Sequence, residues 1–245
     1  RCRVGISPTL KVNTLPWLKY KKTKWKTMPR AKVGYWKKLR NGWGLIYMTE
    51  SFSKPFSQAC ENNKAPILAV LNRTFANCKG VLEVGSGTGQ HAVYFAENLP
   101  HLQWYCSDQP DYHEGIIAWL EEASLPNVTK PVALTIGKDS FPSLPIQGIY
   151  SANTAHIMQR HEAELLMKSV SEYLPSGGVF CQYGPFTIGG EFSSESNRVF
   201  HESLIERGYG GYRDISELTA WSNDLVLREI HKMPANNLLL EWHKP

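Results

Sequence analysis

From Ser51 onward, the apolar positions of this chain fall into alternating helix-like and strand-like blocks. Over 58–75, Ile67, Leu68, Leu71 and Phe75 recur at helical spacing, and Pro66 predicts that the helix begins near Ala65. A buried strand is expected over 81–84, a glycine loop over 85–89 and a helix over 90–99. A second strand is expected over 102–107, ending at Asp108, then a helix over 112–123 and a third strand over 132–136. The pattern continues with a strand over 148–153, a helix over 160–173 and a strand over 179–183. Helices over 194–207 and 215–223 precede two last strands, over 225–233 and 237–242. Such alternation predicts an α/β fold with a mostly parallel sheet, helices on both faces and right-handed crossovers.

Composition sets bounds on this picture. The 245 residues suffice for one large domain, and 42% hydrophobic with 20% charged residues is ordinary for a globular chain. No apolar run reaches the ~18 residues of a membrane span, and no secretory core is visible near the start. The five cysteines are odd in number and form no C-x-x-C pair, so neither a disulfide framework nor a zinc site is expected. Reduced thiols point to a cytoplasmic setting, and Cys106 and Cys181 read as small core residues.

The net charge of +5 is unevenly spread. Residues 1–47 hold 13 Lys and Arg, four Trp and no acid; the remaining 14 basic and 22 acidic residues give 48–245 a formal −8. The expected division is therefore a basic extension, 1–47, and a catalytic domain, 48–245. Three readings of the extension stand side by side: a segment unrelated to the activity, an organelle-targeting segment, and an arm for nucleic acid or another acidic surface. Met48 also reads as a candidate initiator. Nucleic acid would be held only through residues 1–47.

The chemistry begins at Gly85, Gly87 and Gly89, which follow the first strand of the domain. Ligands of parallel α/β sheets bind beyond the carboxyl ends of the strands, and glycine allows close backbone approach there. Asp108, at the end of the next strand, suits the two hydroxyls of an adenosine ribose. A dinucleotide fingerprint needs glycine at position 90, where the chain has Gln90. The G-x-G-x-G spacing, with Glu83 two residues ahead, resembles the first motif of class I methyltransferases instead.

The resemblance extends along the chain. Phe56 through Lys64 with Pro66-Ile67-Leu68, Gly85 through His91, Ala152 through Ile157, Tyr183-Gly184-Pro185-Phe186, Glu195-Ser196-Asn197 and Met233 through Asn237 resemble blocks of the methyltransferase-like 26 family. This covers about residues 52–245. It implies a Rossmann-like class I fold with an antiparallel last strand, S-adenosylmethionine as cofactor, and a methyl acceptor that the family leaves undefined. Glu83, Gly85, Gly87, Gly89, Asp108, Asn153 and Asn62 are the expected cofactor contacts, Asn62 as part of a lid formed by Glu61-Asn62-Asn63. A solvated helix start is the competing reading of that trio. Where the family carries Asp-Val after the third strand, this chain has Thr135-Ile136. Asp139 or a backbone group would then serve adenine.

On the acceptor side, Asn153, His156 and Tyr183 are the catalytic candidates. Asn153 can orient an acceptor through its amide, and His156 can take a proton or simply support its neighbours. Tyr183 and Phe186 suit a flat or apolar acceptor, or belong to the core. Asn236 and Asn237 either close the pocket or make a turn. The histidines at 161, 201, 231 and 243 show no ligand spacing, so no metal is expected. The leading expectation is a methyltransferase acting on a small molecule. The rivals are an RNA- or protein-directed enzyme using the basic arm, and a non-catalytic cofactor-binding protein.

Overall fold

The computed structural model describes residues 33–39, 42–48 and 54–245, the first two as backbone. The chain divides into two units, Arg1–Ser51 and Phe52–Pro245. In the first, β1 (Val33–Leu39) pairs antiparallel with β2 (Gly42–Met48), with Val33 opposite Met48. The hairpin lies within the basic stretch, where no strand was expected. The remaining sequence readings of residues 1–32 lie outside the described residues.

The second unit is built on seven strands: β3 (Gly80–Val84), β4 (Gln103–Asp108), β5 (Val128–Ala133), β6 (Gly148–Ala152), β7 (Val179–Gly184), β10 (Val226–Met233) and β11 (Asn237–His243). Their order is β10-β11-β7-β6-β3-β4-β5. The expected α/β class holds. The parallel strands β5, β4, β3, β6 and β7 form the sheet's body, and β11, last in the chain, runs antiparallel to both neighbours. A separate pair joins β8 (Phe186–Thr187) and β9 (Arg213–Asp214) in parallel.

Helices cover both faces. α1 (Gln58–Thr74), α2 (Gln90–Asn98) and α3 (His113–Ala123) bury Ile67, Leu71, Phe95, Ile116 and Leu120 against one face. On the other, α4 (Arg160–Tyr173) and α6 (Ile215–Trp221) bury Leu166, Met167, Val170, Leu218 and Trp221. α5 (Glu195–Glu206) lies between β8 and β9 in the chain. Cys106 and Cys181 are fully buried in the core. Among the described residues, no helix is long and apolar enough to cross a membrane.

Two expectations need correcting. α1 starts at Gln58, not near Ala65, and carries Pro66 in its interior. The Ser57 hydroxyl caps it by accepting from the Cys60 amide, and buried Asn63, Ile67 and Leu71 hold both halves of the helix. The third parallel strand is β5 (Val128–Ala133), four residues earlier than the apolar run over 132–136 suggests. As an edge strand it tolerates Pro131, and it is half-exposed, so its apolar signal is weak.

Candidate functional site

The glycine loop forms because its three glycines all take positive φ, at 79°, 58° and 90°. Each has its own reason. A Cβ on Gly85 would lie 2.6 Å from the Thr154 methyl, and one on Gly89 would lie 3.0 Å from the Ile116 backbone. Around Gly87 there is open space within 4 Å. Four of the loop amides are already engaged. Gly85 and Ser86 both donate to the Ser107 carbonyl at 3.0 Å, Gly89 donates to the Ser86 carbonyl at 2.9 Å, and Gly87 donates to Asp108. A phosphate cradle needs free amides, so this loop does not suit a pyrophosphate.

Asp108 closes β4 directly beside that loop. Its Oδ2 accepts from the Gly87 amide and its Oδ1 from the Gln109 amide, both at 2.7 Å. The residue is 8% exposed, and burial raises its pKa. No salt bridge to it exists among the described residues. A carboxylate offers about four lone-pair sites, so each oxygen keeps room for one more donor. Two ribose hydroxyls fit that capacity. Glu83 sits deeper, with its Oε2 accepting from the Trp104 indole at 3.1 Å. Burial, with some repulsion from Asp108, pushes its pKa up to about 7.

Gln90, which excluded the dinucleotide reading, has a second role that sequence reasoning missed. Its buried side chain accepts from the Ser57 amide at 2.6 Å and donates to Glu61 at 2.7 Å, tying the start of α1 to the glycine loop. Of the expected lid trio, Asn63 turns inward and its Oδ1 lies 2.7 Å from His91 Nε2. The Tyr150 hydroxyl lies 3.2 Å from His91 Nδ1. Asn62 lies on the exposed stripe of α1, where its Oδ1 accepts from Gln58 at 2.9 Å. Asn62, next to Asn63 in the helix, is exposed in the structure.

Beyond β6, Asn153 takes the left-handed conformation, φ 58°, and its backbone N–H donates to the Tyr183 carbonyl at 2.9 Å. Asn153 and Tyr183 are thereby joined at the sheet's carboxyl edge. Tyr183 is buried, and burial raises its hydroxyl pKa while the Asn63 amide opposes that shift. His156 is 7% exposed, and its ring packs on Phe200 and Tyr212 at centroid distances of 5.9 and 6.4 Å. Its Nδ1 is buried with no hydrogen-bond partner. Burial, helped by nearby Arg207, lowers its pKa to about 4, so the ring is neutral near pH 7.

A cleft of about 230 Å³ opens beside Asp108, lined by Gln109, Thr135, Ile136, Ile157, Met158 and Tyr209. Thr135 and Ile136 thus border this cleft. Asp139 instead accepts from the Thr135 amide at 2.7 Å, bracing the loop, and faces a separate hollow with Phe141 and Tyr173.

Residues 54–244 match the model of a family described as "Protein of unknown function (DUF938)". The chain belongs to the DUF938 family. This DUF938 chain is also similar in fold to an O-methyltransferase family 2 protein from Planctomyces limnophilus DSM 3776, solved in complex with apigenin. The identity is 17%, the TM-score 0.68, and the match covers 76% of this chain and 58% of that one. The mitomycin 7-O-methyltransferase matches at 12% identity and TM-score 0.66, covering 76% and 54%. An O-methyltransferase from neocarzinostatin biosynthesis, solved with S-adenosylmethionine and 2-hydroxy-5-methyl naphthoic acid, matches at 17% and 0.64, covering 76% and 55%. The DUF938 chain spans little more than half the length of these structures. At such identities the likeness establishes a Rossmann-like methyltransferase fold.

One further cluster escaped the sequence spacing. The potential ligand atoms of Glu229, His231 and Glu241 lie within 4.8 Å of one another across the β10–β11 ladder. Arg73 of α1 reaches into it, with a guanidinium nitrogen 3.1 Å from Glu229, 3.4 Å from His231 and 3.5 Å from Glu241. That guanidinium already supplies the cation, and the DUF938 chain uses the cluster to fasten α1 to the sheet.

Proposed function

We propose that this chain is an S-adenosylmethionine-dependent methyltransferase acting on a small-molecule acceptor, akin to the methyltransferase-like 26 family. The observation that carries the reading is Asp108: a buried carboxylate without a salt-bridge partner among the described residues, its spare lone pairs at a strand end beside the open space at Gly87. When bound, the cofactor supplies an electrophilic methyl group on sulfur. Asp108 would hold the ribose hydroxyls, the cleft at Gln109, Thr135 and Ile136 the adenine, and the loop of Gly85, Gly87 and Gly89 the methionine portion. Glu83 would support the loop from beneath, and Asn153 would border both ligands.

Displacement at a methyl group is governed largely by alignment, so the walls around Asn153, Tyr183 and His156 would act mainly by holding the acceptor in line. His156 is neutral near pH 7, and it would take an acceptor proton only if its buried, unpaired Nδ1 became accessible; otherwise it would act as a wall of the acceptor site. The aromatic rings around it favour a flat acceptor. The flat small molecules bound in two of the similar structures, apigenin and the naphthoic acid, support the same class.

Calorimetry with S-adenosylmethionine tests the reading. The wild-type chain should bind, and Asp108→Ala should weaken binding by ~100-fold, the scale of two hydrogen bonds to a charged group. Absence of binding by the wild-type chain would remove the reading.

A further inference from the structure

Asn197 belongs to α5, the helix that brings Phe200 against His156. Three residues apart, Asn197 and Phe200 share one face of that helix. Asn197 is only 7% exposed. Its side-chain nitrogen donates to the Asn236 backbone carbonyl at 3.1 Å and to Ser193 Oγ at 2.9 Å. A backbone carbonyl can only accept, so the atom facing it is the amide nitrogen, and both amide protons are in use. The orientation of the amide is therefore fixed. No protein donor reaches Oδ1 among the described residues.

The surroundings hold this group in place at some cost. Ala235 and Asn236 are consecutive non-glycine residues at φ 55° and 57°, the left-handed region that alanine rarely adopts. The Asn236 side chain donates to Ser194 Oγ at 3.2 Å, clasping the turn to the start of α5. Leu238, two residues beyond Asn236, lies opposite Gly184 in the β11–β7 ladder. The turn thus lies at the sheet edge that carries Asn153, Tyr183 and Gly184. Two separate sequence blocks, Glu195-Ser196-Asn197 and Met233 through Asn237, meet here.

We propose that Asn197 is a specificity-determining residue: its Oδ1 accepts a hydrogen bond from a hydroxyl or N–H of the methyl acceptor, at a position separate from the group that His156 serves. The inference rests on the methyltransferase reading and adds an acceptor class, a flat molecule bearing a hydrogen-bond donor on the side facing α5. A site built around such a bond discriminates strongly against analogues lacking the donor.

The test is an NMR titration of the full chain with 2,6-dihydroxynaphthalene and with its monomethyl ether, 6-methoxy-2-naphthol, which keeps one hydroxyl for the transfer position, each with and without S-adenosylhomocysteine. The wild-type protein should prefer the diol by about tenfold or more, and Asn197→Ala should abolish most of that preference. Asn236→Gly, which loosens the clasp while keeping the left-handed backbone, should retain it. The proposal is overturned if the wild type does not discriminate, if Asn197→Ala discriminates equally well, or if Asn236→Gly loses the preference to the same extent. Failure of S-adenosylhomocysteine to bind would count against the methyltransferase reading alone, since the titration without it still reports on Asn197.

Discussion

Single residues at the glycine loop divide into those that serve the fold and those that face open space. Gly89 lets α2 approach the Ile116 backbone, so Gly89→Ala combines a forbidden φ with a backbone contact at 3.0 Å. It should lower stability by about 2–4 kcal/mol in chemical denaturation, and ligand affinity only through misfolding. Gly87→Ala meets nothing within 4 Å and should cost about 1 kcal/mol from its left-handed φ. It should nonetheless weaken S-adenosylmethionine binding in calorimetry, because the new methyl occupies the space assigned to the ligand. Equal effects of the two substitutions on stability would contradict this division.

At the scale of elements, α1 tolerates an interior proline because tertiary contacts hold it on both sides of Pro66. Proline in a helix interior costs ~3 kcal/mol through a lost hydrogen bond and a steric clash. Pro66→Ala should therefore raise unfolding stability by about 1–3 kcal/mol; a fall would show that packing of the ring outweighs the helical penalty. The same helix shows where sequence reading stops. Local rules located β3, β4, β6, β7 and α4 well, because their apolar runs are buried and their boundaries carry turn residues. The same rules misplaced β5, a half-exposed edge strand containing Pro131, and the start of α1. The loop and Asp108 were legible because strand, glycine and acid follow one another at short spacing. Gln90 with Ser57, His91 with Asn63, and Asn197 with Asn236 were not. Those partners stand 33, 28 and 39 residues apart, and nothing in the sequence pairs them.

At the scale of the whole molecule, burial makes stability depend on pH. His91 and His156 are both held at about 4, below the ordinary histidine value of ~6.5, so the unfolded chain binds more protons between these limits. Their contribution is complete above about pH 6.5 and is lost as pH falls towards 4. Glu83, raised to about 7, acts in the opposite sense: its contribution is present below the ordinary carboxylate range and is lost as pH rises through 7. Two histidines outweigh one glutamate on the acid side, so stability should peak near about pH 6.5. His156→Gln should flatten the acid slope when denaturation midpoints are compared at pH 5 and 7; an unchanged slope would refute the assignment. The engaged amides of Gly85, Ser86, Gly87 and Gly89 have a kinetic consequence. The loop acquires its order when the chain folds, so a ligand neither has to freeze it on arrival nor wait for it to melt before departing. On the methyltransferase reading proposed above, exchange of spent for fresh cofactor would then be timed by the clasp of Gln90 with Ser57 and Glu61, which ties the start of α1 to the loop.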